Sequence, residues 1–170
     1  MPSERIYLRM QCNQACVYCN NHWETDNPVH VGPKAIASRV TEAVSKGADE
    51  VILTGGEPTL LPGIEGVVSF LAEHGVKKVV LETNATRVDV AFAETLRGAG
   101  LTMARVNLSG WGERLDAITR DEGGFKKTLK GLEALVASKI PIQLSGVLTR
   151  STVDLLPEVP GRLAEHLGGL

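Results

Sequence analysis

Five times along this chain a short run of β-branched and aliphatic residues gives way to a longer amphipathic stretch. The runs are Arg5 to Met10, Glu50 to Leu53, Lys77 to Leu81, Met103 to Leu108 and Ile140 to Leu148. Pro33 opens the first amphipathic stretch, with Ile36, Val40, Ala43 and Val44 on one face and Gly47 closing it. Pro62 opens the second, where Ile64, Val67, Val68 and Leu71 repeat at the period of a buried helical stripe. A third runs from Val90 to Leu96, and Phe125, Leu129, Leu132 and Val136 mark a fourth. The last, Val153 to Leu167, is irregular around Pro157 and Pro160. A strand–helix–strand crossover returns the chain in its original direction, so units in series predict a parallel sheet. Apolar runs such as Val79-Val80-Leu81 suit strands covered on both faces. Periodicity leaves open whether the sheet stays flat or curls toward a barrel. With no linker or low-complexity tract, residues 1–170 read as a single α/β domain.

Composition narrows the function classes. Eighteen Lys and Arg against twenty Asp and Glu leave a formal charge of −2, which offers no strongly basic face for nucleic acid. No apolar run approaches the ~20 residues of a membrane-spanning helix, and the N-terminus lacks a signal peptide's apolar core. A cytoplasmic protein without membrane partners is expected. Aromatic residues are only 4%, so Val, Leu, Ile and Ala must build the core.

In parallel α/β sheets the functional loops follow the C-terminal ends of the strands. Here those loops are CNQACVYCNN, TGGEPT, ETNAT and NLSGWGE, with the small pair Ser145–Gly146 in the fifth strand. The chain's unusual residues therefore gather on one rim. Its three cysteines are Cys12, Cys16 and Cys19, an odd set that cannot pair off completely into disulfides. Three soft ligands from one loop suit an iron–sulfur cluster or zinc. A cluster held by three cysteines leaves one iron open, whereas structural zinc needs a fourth ligand, for which His22 is available. Three unligated thiols are the plainest alternative. Gly55-Gly56-Glu57-Pro58 reads as a tight turn, or as a loop whose bared backbone carbonyls face a ligand's ammonium group. His22, His30, His74 and His166 show no metal spacing with one another, and His74 beside Gly75 suits a helix C-terminus. Trp23 and Trp111 lie in rim loops, as packing lids or as stacking surfaces.

Cys-x3-Cys-x2-Cys with Tyr18 before the last cysteine, followed by Gly-Gly-Glu-Pro after the next strand, resembles the signature of radical S-adenosylmethionine (radical SAM) enzymes. Residues 81–86 look like the family's Thr-Asn-Gly loop. Residues 106–135 are similar to the fourth βα unit of the branch with the molybdenum-cofactor and peptide-modifying enzymes. The resemblance implies a truncated form of the family's (βα)6 partial TIM barrel, here a partial parallel (βα)5 barrel. It implies a 4Fe–4S cluster on Cys12, Cys16 and Cys19, with SAM chelating the fourth iron. Tyr18 and the backbone near Val147 would flank the adenine. Gly55 and Gly56, in a turn shaped by Glu57 and Pro58, would hold the methionine amino group. Thr83, Asn107 and Ser109 are candidates for the ribose or carboxylate, and Arg120 for the carboxylate.

The implied activity is reductive cleavage of SAM to a 5′-deoxyadenosyl radical that abstracts hydrogen from a small-molecule or peptide substrate. A reductase or ferredoxin-type protein would supply the electron. The chain departs from the pattern at Ser109, where the family has aspartate, at Asn107, where serine is common, and at Ala85, where the loop has glycine. The missing sixth unit implies a natural minimal version or a larger protein that has been cut, with a dimer mate or partner able to cover the open side. All three cysteines serve the one cluster, which leaves none for an auxiliary cluster. A glycyl-radical-enzyme activating protein shares the three-cysteine loop and is the second enzymatic reading. A zinc-stabilised or degenerate binding module is the non-enzymatic one.

Overall fold

The computed structural model describes residues 2–9, 11–19 and 32–168. Of the residues singled out above, Met10, His22, Trp23 and His30 lie outside them. The elements are β1 (Ser3–Arg9), α1 (Pro33–Ser45), β2 (Glu50–Gly55), α2 (Ile64–Glu73), β3 (Lys78–Thr83), α3 (Val90–Gly98) and β4 (Met103–Asn107). There follow α4 (Glu113–Thr119), α5 (Gly124–Ala137), β5 (Ile142–Ser145) and α6 (Val159–His166). The strands form one sheet in the order β1-β2-β3-β4-β5, every neighbouring pair parallel. Chain order equals sheet order, so each crossover steps to the adjacent strand in the same sense, as in a partial (βα)5 barrel.

Strand alternation sorts the side chains. Ile6 and Leu8 of β1, Val51 and Leu53 of β2, Val79 and Leu81 of β3, and Ala104 and Val106 of β4 are buried in the core. The helices meet them with Ile36 and Val40 of α1, Ile64, Val68 and Leu71 of α2, Ala93 and Leu96 of α3, and Leu129, Leu132 and Leu135 of α5. The opposite, inner face is apolar at Ile52 and Val80, but polar side chains occupy it toward β4 and β5. No described helix is long and apolar enough to cross a membrane.

Several boundaries differ from the expectation. Pro62 does not open α2: Pro58 starts a 3-10 turn through Leu60, and Gly63, at φ 76°, leads into Ile64. β5 is four residues rather than nine, because the chain turns after Ser145 to let Val147 N bond Ser109. The last helix is confined to Val159–His166, after a 3-10 turn at Leu156–Glu158 that contains Pro157. A short helix, α4, was not expected. Asp116 within it accepts hydrogen bonds from Gly123 N (2.8 Å) and Phe125 N (2.7 Å), fixing the start of α5. Gly131 lets α5 lie directly on the loop after β3, since any side chain there would overlap the Ala85 carbonyl oxygen.

Candidate active site

Because all strands run the same way, the loops after them share one rim, and a single residue, Glu57, ties three of these loops together. Its carboxylate joins the loops after β2 and β3, and its backbone N–H reaches the cysteine loop. Glu57 is 1% exposed. Its Oε1 accepts from Thr59 N (3.0 Å), Thr59 Oγ1 (2.6 Å) and Thr83 Oγ1 (2.6 Å), and its Oε2 from Asn84 N (2.8 Å). Its own N–H donates to Gln11 O of the cysteine loop at 2.8 Å. A buried carboxylate needs such donors to offset its lost hydration. Gly55, at φ 143°, occupies a region open to glycine and supplies the bend between β2 and this hub. Pro58 is buried and starts the 3-10 turn whose Thr59 bonds Glu57.

The cysteine loop is fastened again on its far side. Ala15 N donates to Thr119 O and Val17 N to Ile118 O, each at 2.9 Å, so α4 acts as its anchor. Cys12, Cys16 and Cys19 are each part-buried, and none is in a disulfide. Cys12 Sγ accepts from Gln14 N at 3.4 Å and faces Asn84 Nδ2 at 4.0 Å. The Asn84 amide is held in place by Asn13 Oδ1 (2.9 Å) and by Thr86 N donating to its Oδ1 (3.0 Å). Burial pushes the Cys12 thiol up to about 12, opposed by the Gln14 N–H and reinforced by the nearby Glu57 charge. Burial likewise raises Cys16. Metal binding would displace these protons, as it does from any coordinating thiol.

This donor set fits an iron–sulfur cluster. Soft thiols from one loop match its ligand preference, and N–H groups directed at sulfur are a known means of stabilising and tuning it. A single zinc needs sulfurs about 3.8 Å apart around one centre, from the tetrahedral Zn–S length. Among the described residues no three His, Cys, Asp or Glu side chains converge on such a point. His22, the fourth ligand in the zinc alternative, lies outside the described residues.

The opposite side of the rim holds a second network. Tyr18 Oη lies 3.0 Å from Asn107 Oδ1 and 3.1 Å from Ser109 Oγ. Ser109 Oγ donates to Asn107 Oδ1 at 2.9 Å and accepts from Val147 N at 3.0 Å. Burial pushes the Tyr18 phenol above its ordinary range, partly offset by the Ser109 hydrogen bond. The structure thus brings Tyr18, Asn107, Ser109 and Val147 into one cluster spanning the cysteine loop, β4 and β5. Thr83 turns to Glu57 and accepts from Ala85 N (2.9 Å), so its hydroxyl fixes the loop after β3. Arg120 stands apart, exposed and at φ 52° beyond α4, lining a surface groove with Glu113, Asp116 and Lys126. Trp111 packs edge-on against Phe125, ring centres 4.8 Å apart, which is the lid role. His74 ends α2 with Nδ1 2.8 Å from Phe70 O.

Sequence reasoning passed over Asn84 and Asn13, which lie inside motifs already noted. It also passed over Arg5, Glu82 and Arg105. Their signal was a charge at alternate positions of otherwise apolar strands, which places them on the inner face.

A parallel partial barrel carrying three thiols on the loop after its first strand defines a class of cofactor-dependent α/β protein. The radical SAM superfamily profile matches residues 8–161, and the chain belongs to that superfamily. It is 28% identical over 156 residues to a probable GTP 3′,8-cyclase of Sulfurisphaera tokodaii, covering 91% of this chain and 50% of the relative. It is 28% identical over 165 residues to an AdoMet-dependent heme synthase of Methanosarcina barkeri, covering 96% of this chain and 47% of the relative. The chain spans about half the length of these curated relatives. Among solved structures, native anSMEcpe with bound AdoMet superposes with a TM-score of 0.76 at 22% identity, covering 98% of this chain and 49% of that one. That likeness establishes the fold as the superfamily's partial barrel.

Proposed function

We propose that residues 1–170 form a single radical SAM catalytic unit acting on a small-molecule or peptide substrate laid over the inner face of the sheet. When bound, a 4Fe–4S cluster with SAM supplies reductive cleavage of SAM to a 5′-deoxyadenosyl radical, which removes a hydrogen atom from the substrate. Cys12, Cys16 and Cys19 would hold three of the irons. Gln14 N and the Asn84 amide, directed at the Cys12 sulfur, would stabilise its anionic form. The backbone of Gly55 and Gly56 would receive the methionine ammonium group, with Glu57 and Pro58 holding their turn. Tyr18, Asn107, Ser109 and the Val147 backbone would flank the adenosine, whereas Arg120, exposed in the groove beyond α4, stands apart from this cluster. A reductase or ferredoxin-type donor would deliver the electron.

The observation that carries this reading is the cysteine loop itself: three part-buried thiols, fastened to Glu57 on one side and to α4 on the other, with N–H groups aimed at Cys12. The test is anaerobic reconstitution with iron and sulfide, followed by reduction, addition of SAM and assay for 5′-deoxyadenosine. We expect about four irons and four sulfides per chain in the native protein. Cys16→Ala should keep a native far-UV circular dichroism spectrum, hold no stable cluster and form no 5′-deoxyadenosine. A full cluster in Cys16→Ala, or about one zinc and no sulfide in the native chain, overturns the ligand assignment.

A further inference from the structure

The inner face of a packed α/β sheet is ordinarily apolar, yet here it carries a linked charge system. Register places Glu82, Arg105 and Gln143 side by side on β3, β4 and β5. Arg105 Nη1 meets Glu82 Oε1 at 2.6 Å, and Arg105 Nε donates to Gln143 Oε1 at 3.0 Å. Arg5 reaches over β2 from β1 to put its Nη1 2.6 Å from Glu82 Oε2. One carboxylate, with both oxygens engaged, is therefore shared by two guanidinium groups, and the cluster carries a net positive charge. Arg5 is 45% exposed and Arg105 21%, so the excess charge faces the open side of the sheet rather than the core. Each guanidinium has five N–H donors, far more than Glu82 and Gln143 accept. Along β4, Arg105 lies two residues, about 6.6 Å, below Asn107 of the rim.

We infer that this cluster is an anion-recognition floor, in which Arg5 and Arg105 hold a phosphate or carboxylate group of the substrate while its reacting end reaches the rim. The substrate role rests on the function proposed above; the anion site does not. Glu82 bridges the two arginines in the absence of an anion, and Gln143 accepts from Arg105 Nε. Arginine suits this task because its planar fork pairs with two oxygens of one anion. Glu82 also competes with the incoming anion. That competition distinguishes a binding floor from a set of cross-strand ion pairs that only stiffen the sheet, for which Glu82 would be wholly favourable.

The test is calorimetric titration of the full chain, with and without reconstituted cluster, using inorganic tripolyphosphate, citrate and uncharged glycerol as probes. Saturable binding of one anion per chain is expected, weakening with added salt, with glycerol inert. Preference for tripolyphosphate or for citrate assigns the group as phosphate or carboxylate. Arg5→Gln and Arg105→Gln should each weaken binding about tenfold or more, as for loss of one charge-assisted hydrogen bond. Glu82→Gln should tighten it about fivefold, the order expected for removing one nearby like charge at a wet surface. Unchanged or weaker binding in a folded Glu82→Gln protein overturns the inference, as does native-strength binding in Arg5→Gln. Should Glu82→Gln unfold, the exposed Arg5→Gln variant decides alone. No saturable anion binding in the native chain also overturns it. Because the probes need no cluster, this failure is separate from absence of 5′-deoxyadenosine.

Discussion

Replacing Glu57 with Gln is the most direct test of how the rim is held together. The side chains have nearly the same shape, so packing is preserved and only hydrogen bonding changes. Three donors, Thr59 N, Thr59 Oγ1 and Thr83 Oγ1, converge on Oε1, and one, Asn84 N, on Oε2. The amide would keep its oxygen toward the first three and set its NH2 against Asn84 N. The Asn84 N–H would lose its acceptor in a buried place, at about 1–3 kcal/mol, and the other bonds would fall from charge-assisted to neutral strength. Relief of the buried charge offsets part of this loss. The net expectation is a destabilisation of about 2–4 kcal/mol, or roughly 4–16 °C in midpoint for a chain of this size. Glu57→Ala should cost more, about 4 kcal/mol or above, since it strands two backbone N–H groups and opens a cavity. Urea unfolding of the cluster-free protein, followed by far-UV circular dichroism at constant m-value, measures both. A Gln variant within about 0.5 kcal/mol of the native protein, or an Ala variant more stable than the Gln one, would refute the view that this carboxylate holds the loops after β2 and β3 together.

Two further outcomes follow from the same structure. Gly131→Ala should lose about 3 kcal/mol or more in urea unfolding, because its new methyl overlaps the Ala85 carbonyl oxygen; since the collision is with backbone, adding Ala85→Gly should not restore the loss, and full rescue would contradict it. Burial alone would raise the Glu82 carboxyl, but Thr54, Arg105 and Arg5 outweigh it and hold it below the ordinary 4.5. The folded protein then binds fewer protons here than the unfolded chain, so this contribution is present above pH 4.5 and is lost as pH falls through the lower folded value; Arg105→Gln should flatten stability against pH across that range, and an unchanged slope would count against the ion pair.

The alternation of apolar runs and helical stripes was enough to read five βα units and a parallel sheet, because both periods are local properties of the chain. The rim motifs were equally legible, since each directly follows a strand. Hidden from view were features set by partners far away in sequence. Helix α4 is only seven residues long and is tied in place by the cysteine loop's bonds to Ile118 O and Thr119 O, about 100 positions apart in sequence. The pose of Asn84 depends on α5 lying against Ala85, which the absence of a side chain at Gly131 permits. Arg5 was passed over in the first strand run, and only the register with β3 and β4 shows it sharing Glu82 with Arg105.

Residue type alone did not show which protein groups these polar side chains engage. Thr83, Asn107 and Ser109 read as candidates for the ribose or carboxylate of a bound SAM; within the protein, Thr83 engages Glu57, and Asn107 and Ser109 join Tyr18. These two engagements differ in what a ligand could do to them. Thr83 sits in a buried hub, donating to Glu57 and accepting from Ala85 N, so recruiting it to a ligand would break bonds that fix the loop after β3. Asn107 and Ser109 share a single Tyr18 proton and also bond one another, so Tyr18 can withdraw while Ser109 still donates to Asn107 and accepts from Val147 N. The polar groups that can change partners at small cost therefore lie at the β4–β5 end of the rim, while the β2–β3 end holds the cysteine loop in position.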